Sequence, residues 1–428
     1  MLDIRLIRED PDGIKAAMKK RCLDLDKTVD DILTIDQKRR ELSTRTDGMK
    51  NEQNVASKQI PQIKKEGGDA SPVLAKMKEL SEMVKENQQK IARLEEEQKS
   101  LLLGLANLPD EDVCGGGKEN NEPVRYFKDK PAFDFEPKNH VELCEGLGLI
   151  DYERGAKIAG AGSWLYRGWG ARLEWALLNF FIDEHIRDGY EFILPPHMLN
   201  YECGYVAGQF PKFGDEVYKI ANPTSDVAKF MLPTAETALV NVHRDEILEL
   251  DDMPRKYIAY TPCYRREAGS YRSEERGMIR GHQFNKVEMV QYTTEEGSDV
   301  AFEEMVGKAE RLVQELGLHY RLSKLAAGDC SFSMARTYDI EVWIPSMGIY
   351  KEVSSASNAR DYQARRGNIR YRGGDKKLHF AHTLNASGLA TSRVIPALVE
   401  QYQNADGSVT VPEVLRKYFG TDKLEQKK

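Results

Sequence analysis

The chain has 428 residues, of which 40% are hydrophobic and 31% charged, and its formal net charge is −7. That length allows two or three domains of roughly 150 residues each. The acidic balance excludes a generally basic nucleic-acid binder, so any RNA contact must rest on local patches, and no apolar run approaches the ~20 residues that a membrane-spanning helix needs.

The opening stretch, MLDIRLIREDPDGIKAAMKK, has no apolar core of the signal-peptide kind, and its mixed charge differs from a transit peptide. The six cysteines (Cys22, Cys114, Cys144, Cys203, Cys263 and Cys330) are scattered, without a CxxC pair, and no HExxH occurs. Free thiols in a reducing, cytoplasmic compartment are expected, and no structural zinc site.

From about Lys27 to Leu105 aromatics are almost absent and Lys, Glu and Gln abound. Met77, Leu80, Val84, Ile91, Leu94, Leu101 and Leu105 form a heptad seam interrupted by Asn87 and Gln98. Ile32, Ile35, Leu42, Met49 and Ala56 repeat more weakly. Between the two lies IPQIKKEGGDASP: Pro61 should end or kink the first helix, Gly67 and Gly68 permit a reversal, and Ser71 should cap the second helix ahead of Pro72. The pattern predicts an antiparallel helical hairpin, each arm roughly 50 Å long at about 1.5 Å per residue. A dimerising or purely structural coiled coil satisfies the same pattern. Lys38, Arg39 and Arg40 form its one basic cluster, which a solvated face explains as well as RNA.

Leu108-Pro109 opens the turn-rich linker DEDVCGGGKENNEP. The expected division is an N-terminal domain over 1–108, a linker over 109–122 and a second domain over 123–428. In the latter, GARLEWALLNFFIDEHI and EEMVGKAERLVQEL have helical apolar spacing, while GYEFILPP, KYIAYTPCYRR, FNKVEMVQYT and DIEVWIP read as strands. These strands do not alternate with single helices, so an α+β fold is expected, an antiparallel sheet with helices packed on it.

Neither GxxxxGK[ST] nor a GxGxxG between strand and helix is present, so a nucleotide must be held by charged side chains. The best candidate is Tyr264-Arg265-Arg266-Glu267 at a strand end, followed by His282-Gln283-Phe284 opening the next strand. Arg265 and Glu267 would share a face by strand alternation. Arg265 could then hold a phosphate, Glu267 an exocyclic amine, and Phe284 could stack on a base. Alone, the same residues could be a surface ion pair.

In context, TPCYRREAGS…RGHQFNKVE resembles motif 2 of class II aminoacyl-tRNA synthetases, and LNASGLATSRVIPALVEQYQ resembles their motif 3. GARLEWALLNFFIDEHIRDGYEFILPP looks like motif 1, the dimer-interface helix and strand ending at Pro195 or Pro196. LPTAETALV, EVSSASNARDYQARR and MLDIRLIRE followed by a helical hairpin are similar to the seryl-tRNA synthetase family. The resemblance covers essentially the whole chain in the family's order. It implies an N-terminal tRNA-binding arm, a catalytic domain built on an antiparallel sheet, and a homodimer. The implied reaction is activation of L-serine by ATP and transfer to tRNA(Ser), and to tRNA(Sec) where that exists, with magnesium.

The resemblance also assigns residues. Arg265 would hold the α-phosphate and the serine carboxylate, and Arg393 the γ-phosphate end of ATP. Arg266, Glu267, Gly281, Phe284, Glu352, Val353, Ser354 and Ser355 would complete the ATP site, with Glu352 and Ser355 on the metal. Thr234, Ala235, Glu236, Glu288, Asn385 and Ser387 would line the serine pocket, Glu288 receiving the substrate hydroxyl. Arg265, Arg393 and Glu352 would be the catalytic set. The loop arginines Arg272, Arg276 and Arg280, and the pair Arg365-Arg366, are either solvated or facing tRNA. Gly281, Ala359, Thr391 and Ser392 depart from the family's usual residues, which leaves contacts at the ATP edge open. A paralogue serving another acceptor, or tolerant of a seryl-adenylate-like inhibitor, is the alternative reading.

Overall fold

In the computed structural model, which describes residues 1–224, 226–267 and 277–426, the chain divides into two compact units. One comprises Leu2–Lys19 and Leu23–Ala106, the other Met1, Lys20–Cys22 and Asn107–Lys428. All six cysteines are free thiols. Among the described residues no helix is long and apolar enough to cross a membrane.

The first unit is built on the expected hairpin, α1 (Asp26–Lys65) and α2 (Ser71–Leu103). At about 1.5 Å per residue they are about 60 and 50 Å long. The heptad seam closes as read: Ile32, Ile35, Leu80 and Val84 are buried, and Met77, Ile91 and Leu94 partly so. Pro61 does not end α1, which runs four residues further to Lys65. So near an exposed helix end, the one backbone donor that proline removes is a small loss. Ser71 is the first residue of α2, not its cap. Its N–H donates instead to Asp69 Oδ1 at 2.8 Å.

The polar interruption of the seam has a partner. Gln98 Nε2 donates to Asp36 Oδ1 at 3.3 Å, and the buried Asp36 also takes Arg40 Nε at 2.8 Å and Arg39 Nη2 at 3.3 Å. Burial opposes the charge of Asp36, but Gln98, Arg39, Arg40 and Arg8 outweigh it and hold the carboxyl below its ordinary range. Two members of the basic cluster are therefore bound to a carboxylate, while Lys38 stays exposed.

The second unit is organised by an eight-stranded sheet. Its strands are β1 (Glu122–Phe127), β2 (Glu191–Ile193), β3 (Arg255–Tyr264), β4 (Gln283–Thr293), β5 (Tyr320–Lys324), β6 (Arg336–Ile344), β7 (Ile349–Asn358) and β8 (His382–Ala390). The order is β1-β5-β6-β7-β8-β4-β3-β2. Neighbours are antiparallel except β2 and β3, which run parallel. Three helices, α3 (Trp169–Arg187), α4 (Ser298–Glu315) and α5 (Thr391–Gln401), share a core with the sheet.

Alternation decides what the other face carries. Val287 and Met289 of β4, Leu384 and Ala386 of β8, and Ile340 and Val342 of β6 enter the helix-side core. Lys286 and Glu288, Asn385 and Ser387, and Asp339 and Glu341 therefore point the opposite way. On β7 the register slips at Val353: Ile340 pairs with Ser354 and Glu341 with Glu352. The bulged Val353 enters the core, and Glu352 and Ser355, three apart, come to share a face.

Asp36→Ala should leave Arg39, Arg40 and Gln98 without their acceptor and destabilise the hairpin by about 2 kcal/mol. A circular-dichroism melt checks this. Because the folded carboxyl is held low, its contribution is present above roughly pH 4 and is lost as the pH falls through the lowered value.

Candidate active site

The open face of the sheet forms the wall of a cavity of about 470 Å³. Arg265, Glu267, Thr234, Glu236, Glu288, Glu352, Ser355, Asn385, Ser387 and Arg393 all line it. An adjoining recess adds Gly281, Phe284 and Val353, and shares Arg265, Glu267, Glu352 and Arg393 with the main cavity. Most of the residues singled out from the sequence are thus brought together.

One end of the cavity is cationic. Arg265 Nε donates to the Pro233 carbonyl at 3.2 Å, and its guanidinium lies 5.2 Å from the centre of the Phe284 ring. Arg393 Nη1 donates to the Glu352 carbonyl at 2.9 Å and to Glu352 Oε2 at 3.3 Å. Desolvation opposes the charge of Glu352, but Arg393, Arg265 and Lys286 outweigh it and hold this carboxyl below its ordinary range. Opposite Ser355 in the strand register stands Asp339. Its Oδ1 is buried without a hydrogen bond, and burial followed by the charge of Glu352 pushes its carboxyl well above the ordinary range.

The other end is carboxylate-rich. Glu288 is 1% exposed and forms an ion pair with Lys286. Asn385 Nδ2 donates to Glu288 Oε1 at 3.2 Å, and Ser387 Oγ to Glu288 Oε2 at 3.5 Å. Lys286 Nζ also donates to Thr234 Oγ1 at 2.8 Å, which ties the Thr234 turn to β4. Glu236 accepts from Gln363 Nε2 at 2.8 Å. Burial, and then the charge of Glu288, push the Glu236 carboxyl up to about 7.

Some expectations are corrected. β3 stops at Tyr264, so strand alternation is not what aligns Arg265 with Glu267. Glu267 has a positive φ of 49° and reaches the cavity from a turn, paired with Arg280 at 3.2 Å. Arg266 does not line the cavity: its Nη1 donates to the Asp215 carbonyl at 2.8 Å. Ala235 is buried in the core. Ser354 lies on the buried side of the β7 bulge, its Oγ donating to the Ser387 carbonyl at 2.5 Å. Arg365 Nε donates to Asp361 Oδ2, one turn earlier, and Arg366 Nη1 reaches the distant Tyr205 and Phe210 carbonyls. Arg272 and Arg276 lie outside the described residues.

Sequence reasoning missed Lys286, Asp339 and Gln363. The first was legible: Lys286 stands two residues before Glu288 on a strand already identified, so it had to share that face. Asp339 reaches the site through its register with Ser355, and Gln363 through packing. Neither leaves a local signal.

Three of the four unusual residues acquire reasons. A Cβ at Gly281 would lie 2.2 Å from Trp164 Cζ3 and 2.7 Å from the Gly162 carbonyl oxygen, so the ring of Trp164 occupies the space of a larger side chain. Ala359 is in the core, where its carbonyl accepts from Asn107 Nδ2 at 2.8 Å. Thr391 Oγ1 donates to the buried Glu174 Oε1 at 2.6 Å. Ser392 lines the recess.

Residues 218–402 match the family model for the tRNA synthetase class II core domain (G, H, P, S and T), and residues 1–109 that for the seryl-tRNA synthetase N-terminal domain. Serine--tRNA ligase 2 of Clostridium acetobutylicum is 61% identical, over 99% of this chain and 100% of that protein. Serine--tRNA ligase of Kosmotoga olearia is 47% identical, over 99% of each. Among solved structures, seryl-tRNA synthetase from Pyrococcus horikoshii complexed with ATP superposes with a TM-score of 0.94 at 34% identity, over 100% of both chains.

The raised Glu236 carboxyl yields a stability prediction. Its folded value of about 7 against an ordinary 4.5 means that stability is full below pH 4.5 and is lost as the pH rises through 7. Glu236→Gln should shrink the fall in melting temperature across that window. Scanning calorimetry from pH 4.5 to 8 on both proteins measures it.

Proposed function

Because the chain belongs to the seryl-tRNA synthetase family of class II aminoacyl-tRNA synthetases, we propose that it is a serine–tRNA ligase working in this cavity. Serine and ATP give seryl-adenylate and pyrophosphate, and the seryl group then passes to the terminal ribose of tRNA(Ser). The observation that carries this reading is the division of one cavity into an arginine end around Phe284 and a paired-carboxylate end at Glu236 and Glu288. Its match over the whole length with an ATP-bound structure of the same family supports it.

In the first step a serine carboxylate oxygen attacks the α-phosphorus and the bond to pyrophosphate breaks. Such a step needs neutralised charge and aligned reactants more than a proton carrier. Arg265, between the Phe284 ring and the Thr234 turn, binds the α-phosphate and the serine carboxylate together. Arg393 leaves its contact with Glu352 to take the outer phosphates, and Glu267 reads the adenine edge. Serine's ammonium and hydroxyl face Thr234, Glu236 and Glu288. With Lys286 on one side and Asn385 and Ser387 on the other, Glu288 is fixed as an acceptor for the hydroxyl. A buried acceptor left unpaired by alanine gives discrimination of about 10⁴-fold. Threonine is refused for want of room for its methyl group.

Magnesium fits the donor set. Glu352 and Ser355 share a face, and the unbonded Oδ1 of Asp339 stands across from Ser355. All are oxygen donors of the kind this ion takes while keeping waters. Bound there, the ion would neutralise phosphate charge.

On the hairpin, Lys38, Arg45, Lys90 and Arg93 surround a groove floored by Leu42 and Leu94, with Glu41 in its lining and Glu86 paired with Lys90 at 2.7 Å. That local excess of cations offers the RNA backbone a site on an otherwise acidic chain and favours tRNA over a carrier protein as acceptor. A homodimer would cover Trp175 and Ile186 of α3, and Phe192 and Leu194 at β2, which are all exposed. The six free thiols support a reducing, cytoplasmic compartment.

Serine-dependent ATP–pyrophosphate exchange, followed by charging of total tRNA with labelled serine, tests the function, with alanine and threonine as controls. No exchange with serine would exclude it. Arg265→Ala should lower the exchange rate about 100-fold or more, the loss typical of removing a transition-state donor. Changing Lys38, Arg45 and Arg93 together to Ala should leave exchange intact and raise the KM for tRNA at least about tenfold, with a shallower salt dependence.

A further inference from the structure

Behind the nucleotide recess lies a buried carboxylate that the proposed chemistry does not use. Helix α3 carries Glu174, 3% exposed, into the space between β4 and the start of α5. One of its oxygens, Oε1, accepts from Asn285 Nδ2 at 2.7 Å and from Thr391 Oγ1 at 2.6 Å. The buried Tyr166 hydroxyl is the third polar group set against this carboxyl. A buried carboxyl is costly, and nothing about packing α3 on the sheet requires it.

What it joins is informative. Asn285 stands between Phe284 and Lys286 on β4, so its side chain points away from the recess that theirs line. Thr391 opens α5, two residues before Arg393. Asn285 Oδ1 is in turn occupied by the Tyr260 hydroxyl at 3.3 Å, which fixes the amide with its nitrogen toward Glu174. The two segments that carry the ring and the distal arginine of the recess are thus pinned from behind to one atom, with Thr391 Oγ1 also 3.2 Å from the Asn285 carbonyl oxygen.

We propose that Glu174 is a positioning residue for ATP, which locks β4 at Asn285 to the first turn of α5 at Thr391 and so sets Phe284 and Arg393 at a fixed separation. The proposal rests on the functional reading above and deepens it. Thr391, one of the unusual residues of the chain, is explained by it: a valine there would fill the space but could not donate. Burial pushes the Glu174 carboxyl up to about 7. An uncharged amide that keeps one oxygen acceptor is therefore a fair substitute near neutral pH.

The test is serine-dependent pyrophosphate exchange with ATP and serine titrated separately, on Glu174→Ala, Glu174→Gln, Thr391→Val and the double variant Glu174→Ala/Thr391→Val. Thr391→Val and Glu174→Ala should each raise the KM for ATP about tenfold, the worth of one lost hydrogen bond. The KM for serine should stay within about twofold, because a uniform loss of binding is not expected at the far end of the cavity. Glu174→Gln should remain within about threefold of wild type on both. The double variant should be no worse than Glu174→Ala, since both changes cut the same link. A parallel rise in both KM values, no change in either, or Glu174→Gln as impaired as Glu174→Ala would overturn the proposal. If Glu174→Ala does not fold, Thr391→Val and Glu174→Gln decide. Absence of exchange in the wild type would instead sink the functional reading itself, and this proposal with it.

Discussion

Two carboxylates, Glu236 and Glu288, sit in one buried wall, and the ammonium of Lys286 is what allows them to coexist there. Two acids that close in a poorly solvated space cannot both ionise freely. Here the conflict is resolved unequally. Glu288 has Lys286, Asn385 and Ser387 around it, while Glu236 has one amide donor and a carboxyl pushed up to about 7. Neighbouring acids of unlike character give that end of the cavity two different acceptors. Lys286 also holds Thr234, so the same cation shapes the turn that closes that end.

The arginine end repeats the logic with the signs reversed. Arg393 rests on Glu352, and Arg265 lies over Phe284. Neither cation is left unsupported in the cavity. Glu352 gains its place from the slip at Val353, which breaks the period of β7 and turns Glu352 and Ser355 to a common face. Glu174 acts from the far side of the sheet, where alternation leaves Asn285 facing the helices.

The helical unit shows how little charge a specific surface needs. Asp36 absorbs Arg39 and Arg40 into the hairpin's own packing. Lys38, Arg45 and Arg93 line the groove from both helices, and Lys90 beside them is paired with Glu86. A count of basic residues along either helix cannot find them, because they are neighbours only once the helices are paired.

The sequence by itself determined the hairpin, the antiparallel sheet and most of the cavity wall. The seam from Met77 to Leu105 rests on steps of seven and three, and Arg265, Glu288 and Arg393 rest on resemblance to family motifs; Lys286 was missed, although alternation sets it on the face of Glu288. Where the expectation failed, a local rule had been overridden. The β3 strand stops before Arg265, Arg266 turns to Asp215, and Ser354 is carried inward by the bulge beside it. Tertiary structure alone decided that Asp339 faces Ser355, that Trp164 fills the space beside Gly281, and that Glu174 meets Thr391 more than 200 residues away. These depend on strand register and on packing between distant segments. No window along the chain contains both partners, so no periodicity can record them.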